Sequence, residues 1–294
     1  MSRRGLRLAA AAVGAARYEV VPTPSIEQAV LDHVPREVTV TVTASPTRGL
    51  DATLDLAAAL RTHGYDVVPH VSARLVRDVE HLADIVARVT EQGITDMFVP
   101  AGDADPPAGP FHSSLALLEA LHELDLAGGR RLPRLGITGY PESHPTIDDD
   151  VTIQAMWDKR SYASYIVSNL CFDGRTISDW VARVRARGVT LPVRIGLAGP
   201  VESAKLMTMA SKIGVADAAR FMRSHRSSVL RLATPGGYDP NRLLERIGPT
   251  LSDPAAIIEG LHVFTFNQVR ETEQWRRRLL ARLGEHEASP SGPR

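Results

Sequence analysis

Glu19 stands between Tyr18 and the apolar pair Val20-Val21, inside a run with the character of a strand (Arg17–Pro22). His70 closes a second such run (Asp66–His70), and Gly102 and Asp103 follow another (Thr95–Pro100). Tyr140, Glu142 and His144 come directly after Arg134–Thr138. Asn169 lies within Tyr165–Phe172 and Asp173 follows it, while Asn267 follows Leu261–Phe266. Carboxylates and imidazoles can hold and pass a proton, and amides and phenols can bind a polar ligand edge. Each residue also has a plainer use. Glu19 could point outward to solvent or to a helix, and Asp103 could serve only to turn its loop. His70 and His144 could be hydrogen-bonded structural histidines, and Asn169 could bridge backbone groups.

The elements that would hold these residues follow one pattern. The six runs above, together with Glu37–Thr43 and Pro192–Leu197, are rich in Val, Ile, Thr, Phe and Tyr, as strands are. Several are almost continuously apolar, which suits strands buried on both faces. Between them lie helical periodicities at Leu50–His63, Val76–Gln92, His112–Leu124, Arg175–Arg187, Glu202–Ile213 and Val215–Leu230. Gly64, Gly93, Gly188 and Gly214 follow four of them as stop signals. About eight strands, each followed by helix, predict an α/β fold of the (β/α)8 TIM-barrel type in a single domain. An open doubly wound sheet is the alternative, but that fold usually carries a glycine fingerprint after its first strand, and Val20-Val21-Pro22-Thr23-Pro24 has none. In a barrel the active site lies at the C-terminal ends of the strands. The polar residues singled out above all fall at that end, so together they favour a site.

The chain divides into an N-terminal segment at 1–16, a barrel at 17–283 and a tail at 284–294 expected to be disordered. Arg3, Arg4 and Arg7 before the alanine-rich run Leu8–Ala16 mimic a signal peptide. Cleavage after Ala16 would cut against the first strand, so a frayed or capping segment is the better reading. The proline- and glycine-rich stretch Ala233–Asp253 reads as an elaborated connection before the last strand. A formal net charge of +0 and no basic stripe with interleaved aromatics argue against nucleic acid. No run is long and apolar enough to span a membrane. One cysteine, Cys171, suits a reducing cytoplasmic compartment, and in its apolar strand it reads as inert core. No metal is expected, because the histidines lack paired ligand spacing, and Asp148-Asp149-Asp150 reads as a helix start.

In their order, these residues resemble the methylenetetrahydrofolate reductase family across roughly Arg17 to Leu279. Tyr18-Glu19-Val20-Val21-Pro22-Thr23 stands for the family's first strand, and Pro69-His70-Val71-Ser72 for its Pro-His-Leu-Thr segment. Ala101-Gly102-Asp103 matches its Arg-Gly-Asp turn. Gly139-Tyr140-Pro141-Glu142-Ser143-His144-Pro145 is similar to its Ala-Tyr-Pro-Glu-x-His-Pro motif and is the most specific match. Ser168-Asn169-Leu170-Cys171-Phe172-Asp173 and Val263-Phe264-Thr265-Phe266-Asn267-Gln268 resemble two further strands. Departures concentrate on the flavin-holding parts. Ala101 replaces an arginine, and the family's Lys-Val-Asp-Ala-Gly-Ala segment reads Lys159-Arg160-Ser161-Tyr162-Ala163-Ser164.

The resemblance implies reduction of 5,10-methylenetetrahydrofolate to 5-methyltetrahydrofolate in one-carbon metabolism. It implies Glu19 as general acid, with a buried strand position favouring its protonated form, and Asp103 as electrostatic partner of the developing cation. Asn169 and Asp103 would bind the pterin. His70, Gly102, Tyr140, His144 and Lys159 would line the cofactor pocket. NADH is the implied reductant, with NADPH as the alternative. The degraded flavin segment points to the divergent branch that dispenses with FAD, although FAD binding stays open at this stage. So do a tetrahydrofolate-dependent methyltransferase or demethylase and a non-catalytic folate-binding barrel.

Overall fold

A computed structural model describes residues 3–44, 47–128, 132–142, 149–201 and 239–288. In chain order the elements are α1 (Arg3–Gly14), β1 (Arg17–Val20), α2 (Ile26–His33), β2 (Val40–Val42), α3 (Gly49–Thr62), β3 (Val67–Pro69), α4 (Val79–Glu91), β4 (Asp96–Phe98), α5 (Ser114–Gly128), β5 (Arg134–Gly139), α6 (Asp149–Lys159), β6 (Tyr165–Ser168), α7 (Gly174–Ala186), β7 (Val193–Ala198), α8 (Pro240–Ser252), β8 (Ile258–Phe264) and α9 (Val269–Ala288). The strands are all parallel and run β3-β2-β1-β8-β7-β6-β5-β4 around the sheet. A parallel bridge between His70 and Phe98, with the Val71 amide donating to the Phe98 carbonyl at 2.8 Å, joins β3 to β4 and closes the ring. The chain is a (β/α)8 barrel, as its alternation predicts.

The helices form where the pattern places apolar residues three and four apart. In α4, Leu82, Ile85, Val86 and Val89 are buried, and Asp78 caps the N-terminus by accepting from the His81 amide at 2.7 Å. A cap of this kind contributes about 1 kcal/mol. Gly64, Gly93 and Gly188 follow α3, α4 and α7 with positive φ, as the stop signals require. Gly214 and the helices expected at Glu202–Ile213 and Val215–Leu230 lie outside the described residues. So does Asp148, but α6 starts at Asp149, within the acidic run read as a helix start.

Several boundaries differ from the sequence reading. β6 stops at Ser168, so Leu170 and Phe172 leave the ladder and pack with Ala198 beyond the strand ends. β8 begins three residues early, at Ile258. Two helices escape the periodicity. α2 has only eight residues, too short for a clear repeat. α8 lies in the stretch read as an irregular connection; Pro240 occupies its first turn, where proline is tolerated, and Asp239 caps it. α9 continues to Ala288, five residues into the segment assigned to a tail. Residues 3–14 form α1, whose Ala9, Ala12 and Val13 are buried against α8, α9 and the start of β8.

The lumen is filled in layers. Tyr18 points out to α9, where its hydroxyl donates to Glu273 at 2.7 Å. By the two-residue alternation of strands, Arg17 and Glu19 then face inward. Arg17 lies at the N-terminal floor, bound to Asp96 at 2.7 Å and donating to the Tyr165 hydroxyl at 3.0 Å. Val68, Phe98, Tyr165 and Val167 form an apolar plug. Glu19 lies one inward step above Arg17, towards the strand C-termini.

Candidate active site

Three strands bring three proton-bearing side chains together in the upper lumen. Glu19 Oε2 on β1 lies 2.9 Å from Nε2 of His262 on β8. Nε2 of His70, just past β3, lies 4.0 Å from the same oxygen. The two imidazoles stack at 6.3 Å between centroids, with His70 against Phe98 and His262 edge-on to Phe264. The Glu19 side chain keeps 17 % of its surface exposed, whereas that of His262 keeps 2 %. The group therefore lies below the mouth, with the carboxylate as its outward-reaching member. Burial, partly offset by Glu19, lowers the His70 pKa to about 4. His70 is therefore neutral at physiological pH.

Local backbone contacts fix this arrangement. Thr265 Oγ1 donates to the Glu19 carbonyl at 2.6 Å. Asn267 accepts from the Val21 amide at 2.8 Å and donates back to the Val21 carbonyl at 3.0 Å. Both ends of the Asn267 amide are thus used in pinning β1 to β8, and it serves as a structural residue at the mouth. Gly196 on β7 has the same kind of reason. A Cβ there would collide with the Ser168 carbonyl and the Phe264 ring, so only glycine lets Phe264 reach the lumen beside His262.

The other expected site residues are distributed as follows. Asp103 is exposed in the loop after β4, and Tyr140 follows β5. Burial, with the Asp103 carboxylate nearby, raises the Tyr140 pKa, so the two share the rim. Gly102 has φ +83, and a Cβ on it would come within 2.8 Å of Ser72 Cβ. Glycine there is required by the turn whatever binds above it. Asn169 begins the segment after β6, its amide donating to the Gly139 carbonyl at 2.7 Å and its Oδ1 accepting from the Leu170 amide at 2.8 Å. Its position is at the mouth, and its carbonyl oxygen is already engaged. Glu142 accepts from the Phe172 amide at 3.4 Å, tying two rim segments together. Asp173 caps α7. His144 lies outside the described residues.

Lys159 is not brought to this end. It closes α6, which leads down to the N-terminus of β6, so it stands at the opposite pole from Asn169. The neighbouring residues are spent on internal packing. Arg160 stacks on Trp157 at 3.6 Å, and Tyr162 packs edge-on to His122 of α5 at 5.5 Å. These residues do not fit a flavin, since a cradle for it needs small residues that let backbone approach the phosphates. Cys171 is buried, which pushes its thiol pKa up, away from nucleophilic use.

His262 is the residue that the sequence reading leaves out. The signal that identifies Glu19 also marks His262, a polar residue between outward-facing apolar neighbours, here Leu261 and Val263. The donor atoms of Glu19, His70 and His262 all lie within 4.8 Å of one another, a grouping across three strands that chain spacing cannot reveal. Two ligands of one tetrahedral ion held at about 2.0–2.2 Å stand about 3.4 Å apart. The 2.9 Å contact is instead a hydrogen-bond length.

A family model described as Methylenetetrahydrofolate reductase matches residues 25–225. The match begins after Glu19 and ends before His262, so the pairing of these two residues comes from the structure. A solved structure titled a putative lyase/mutase from Burkholderia cenocepacia J2315 superposes over 99 % of this chain and 95 % of its own, with a TM-score of 0.50 and 16 % identity. At that identity the likeness is one of fold.

Proposed function

Because the chain belongs to the methylenetetrahydrofolate reductase family, we propose that it reduces 5,10-methylenetetrahydrofolate to 5-methyltetrahydrofolate, with hydride passing directly from NADH. The observation that carries this reading is the placement of Glu19, a mostly buried carboxyl group hydrogen-bonded to His262, just beneath a mouth rimmed by Asp103, Tyr140 and Asn169.

The reaction has two demands. Opening the five-membered ring of the substrate requires a proton on the departing ring nitrogen, and leaves an iminium cation at the methylene carbon. The cation then takes up hydride. Glu19 supplies the proton, and Asp103 supplies a carboxylate at the rim to stabilise the developing positive charge. Asn169 offers its amide to the pterin edge. The apolar plug beneath the site keeps water from reaching the cation through the lumen. Nicotinamide supplies two electrons as hydride, and the protein's part is proximity and exclusion of water. Tyr140 and His144 are the candidates for its pocket.

Two features support direct transfer without FAD. Ala101 replaces the arginine of the family's turn, and the segment that resembles the flavin cradle is folded into packing at the other pole. NADPH in place of NADH is a matter for the same assay. The single buried cysteine suits a cytoplasmic setting, and no described helix is long and apolar enough to cross a membrane. The test is a single turnover with NADH deuterated on one face. Deuterium in the product methyl group, from colourless protein without added FAD, is the expected result. Activity that depends on FAD, or deuterium lost to solvent, sinks direct transfer. No NADH oxidation with either addition sinks the reductase reading itself.

A further inference from the structure

The turn after β8 carries an aromatic residue where the backbone disfavours one. The Gln268 amide donates to the Thr265 carbonyl at 2.8 Å, and the two residues between them, Phe266 and Asn267, have φ of +50° and +59°. Two positive φ values in succession are the pattern of a type I′ turn, which glycine, asparagine and aspartate dominate. Asn267 fits that preference. Phe266 does not, because a side chain at positive φ brings its Cβ against the backbone, and a bulky one is an outlier there. The hydrogen bonds of the turn give no reason for a ring. Asn267 makes the contacts to Val21, and Thr265 those to Glu19 and to the Asn267 amide. Glycine in place of Phe266 would close the same turn without the crowding. Strain of this kind beside an active site points to a use for the side chain that bears it.

The rings of Phe266 and Phe264 pack on a cluster of Leu170, Phe172 and Ala198. Those three are buried, whereas both phenylalanines stay partly open. The strand order places this shelf. Between Glu19 on β1 and Asn169 just past β6, the barrel wall passes through β8 and β7. Ala198 of β7 pairs with Phe264, and Phe264 pairs with Glu19, so the shelf is level with the acid. Thr265, the residue before Phe266, donates to the carbonyl of Glu19 itself at 2.6 Å. A flat ligand with one edge at Asn169 and a ring nitrogen at Glu19 therefore lies across Phe264 and Phe266. We infer that Phe266 is a substrate-binding residue, that its ring stacks on the fused ring of the folate, and that the strained turn is kept because it holds the ring there. The identity of the ligand rests on the reductase reading. The nicotinamide is the other flat ring in that reaction, and its candidate partner Tyr140 follows β5, on another arc of the mouth.

The experiment uses the full chain and two readouts. Calorimetric titration with 5-methyltetrahydrofolate, without NADH, measures folate binding, and steady-state kinetics give kcat and both KM values. Phe266→Ala removes the ring and keeps a Cβ at the same φ; Phe266→Tyr keeps the ring face. In Phe266→Ala, Kd for 5-methyltetrahydrofolate and KM for the folate substrate should both rise about 3- to 10-fold, the range for losing one aromatic pair. Its kcat and its KM for NADH should stay within about 2-fold of wild type, since stacking of this kind binds ground state and transition state alike. Phe266→Tyr should match wild type in every constant. Phe266→Gly relieves the turn as it removes the ring, so it guards against a misfolded alanine variant, and it should show the same loss of folate affinity. Unchanged folate affinity in the alanine and glycine variants, with only the denaturation midpoint lowered, makes Phe266 a packing residue and overturns the inference. A rise confined to KM for NADH assigns the ring to the nicotinamide and overturns it too. If the wild type oxidises no NADH, the reductase reading fails while the titration still decides the shelf. A wild type that binds no folate overturns both.

Discussion

Glu19 is presented to the substrate side by strand alternation alone. Tyr18 is drawn outward to Glu273 of α9, and the next residue must then face the lumen. That much was legible in the sequence, because a carboxylate flanked by apolar strand residues is either a mistake of register or a functional group. The same logic placed His70 and Asn169 near the mouth. It failed where a polar residue at a strand end has a backbone task instead. Asn267 and Asp173 are consumed by hydrogen bonds to amides, a use that depends on the neighbouring strand or the following helix and not on the residue's own context. It failed also for Lys159, whose motif resemblance said nothing about which pole of the barrel α6 ends on. Glu19 and Asp103 should therefore separate under substitution. Glu19→Gln is expected to fold normally and lose about 10²–10⁴-fold in turnover, the range for removing a general acid. Asp103→Asn, exposed at the rim, should lower kcat more than it weakens folate binding, since it acts on charge that develops only during reaction. Steady-state kinetics with a folate-binding titration check both. An Asp103 variant that changes only thermal stability would reduce Asp103 to a turn residue.

The elements divide their work between β1 and the helix that closes the chain. α9 carries Glu273, which accepts from Tyr18 of β1 and from Arg276 and Arg277 in its own next turn. Burial disfavours the Glu273 carboxylate, but the hydrogen bonds from Arg276, Arg277 and Tyr18 outweigh it and hold its pKa below the usual range. A depressed folded-state pKa contributes stability that is present above the unfolded value, about 4.3, and disappears as pH falls through the folded value. Glu273→Gln should therefore be less stable than wild type at pH 7, by about 1–3 kcal/mol, since Arg276 keeps Glu37 at 3.8 Å as a second carboxylate. The gap should narrow as the pH drops below about 4. Denaturant melts of both proteins at several pH values measure this, and a gap that stays constant with pH would mean that the carboxylate's charge is not the stabilising feature. The helices that the sequence showed clearly are those with long amphipathic repeats and glycine stops, α3, α4 and α7. α2 and α8 were obscured because one is too short to repeat and the other follows a run of turn-forming residues, although the Asp239-Pro240 pair is itself a helix-start signal.

At the scale of the whole barrel, the two poles carry different chemistry. The C-terminal pole holds Glu19, His262 and His70 with a partly open rim. The N-terminal pole holds a fixed charge network. Arg17 and Tyr165 both bond Asp96, and Arg134 and Arg194 meet at Glu259, at 3.1 and 3.3 Å. Arg194 also donates to the Ala15 carbonyl at 2.9 Å, which seats the end of α1 beneath β8. A polar cleft opens here as well, lined by Arg17, Arg61, Asp66, Asp96 and Arg134, but it lies on the face where barrels keep structural rather than catalytic groups. Six strands, β1, β4, β5, β6, β7 and β8, contribute to this network, so it can set the ring's closure at the floor as the His70–Phe98 bridge does above. The plug of Val68, Phe98, Tyr165 and Val167 lies between the poles. Asp96→Ala leaves the Arg17 guanidinium buried without its carboxylate, the arrangement for which breaking one partner costs about 3–5 kcal/mol. That loss should appear in full as a lower denaturation midpoint. At a temperature where the variant stays folded, its kcat and its KM for the folate should match wild type within about 2-fold, as for sites farther apart than coupling normally reaches. If kcat falls in proportion to stability while the fold persists, the floor helps to position Glu19 through β1, and the two poles act as one unit.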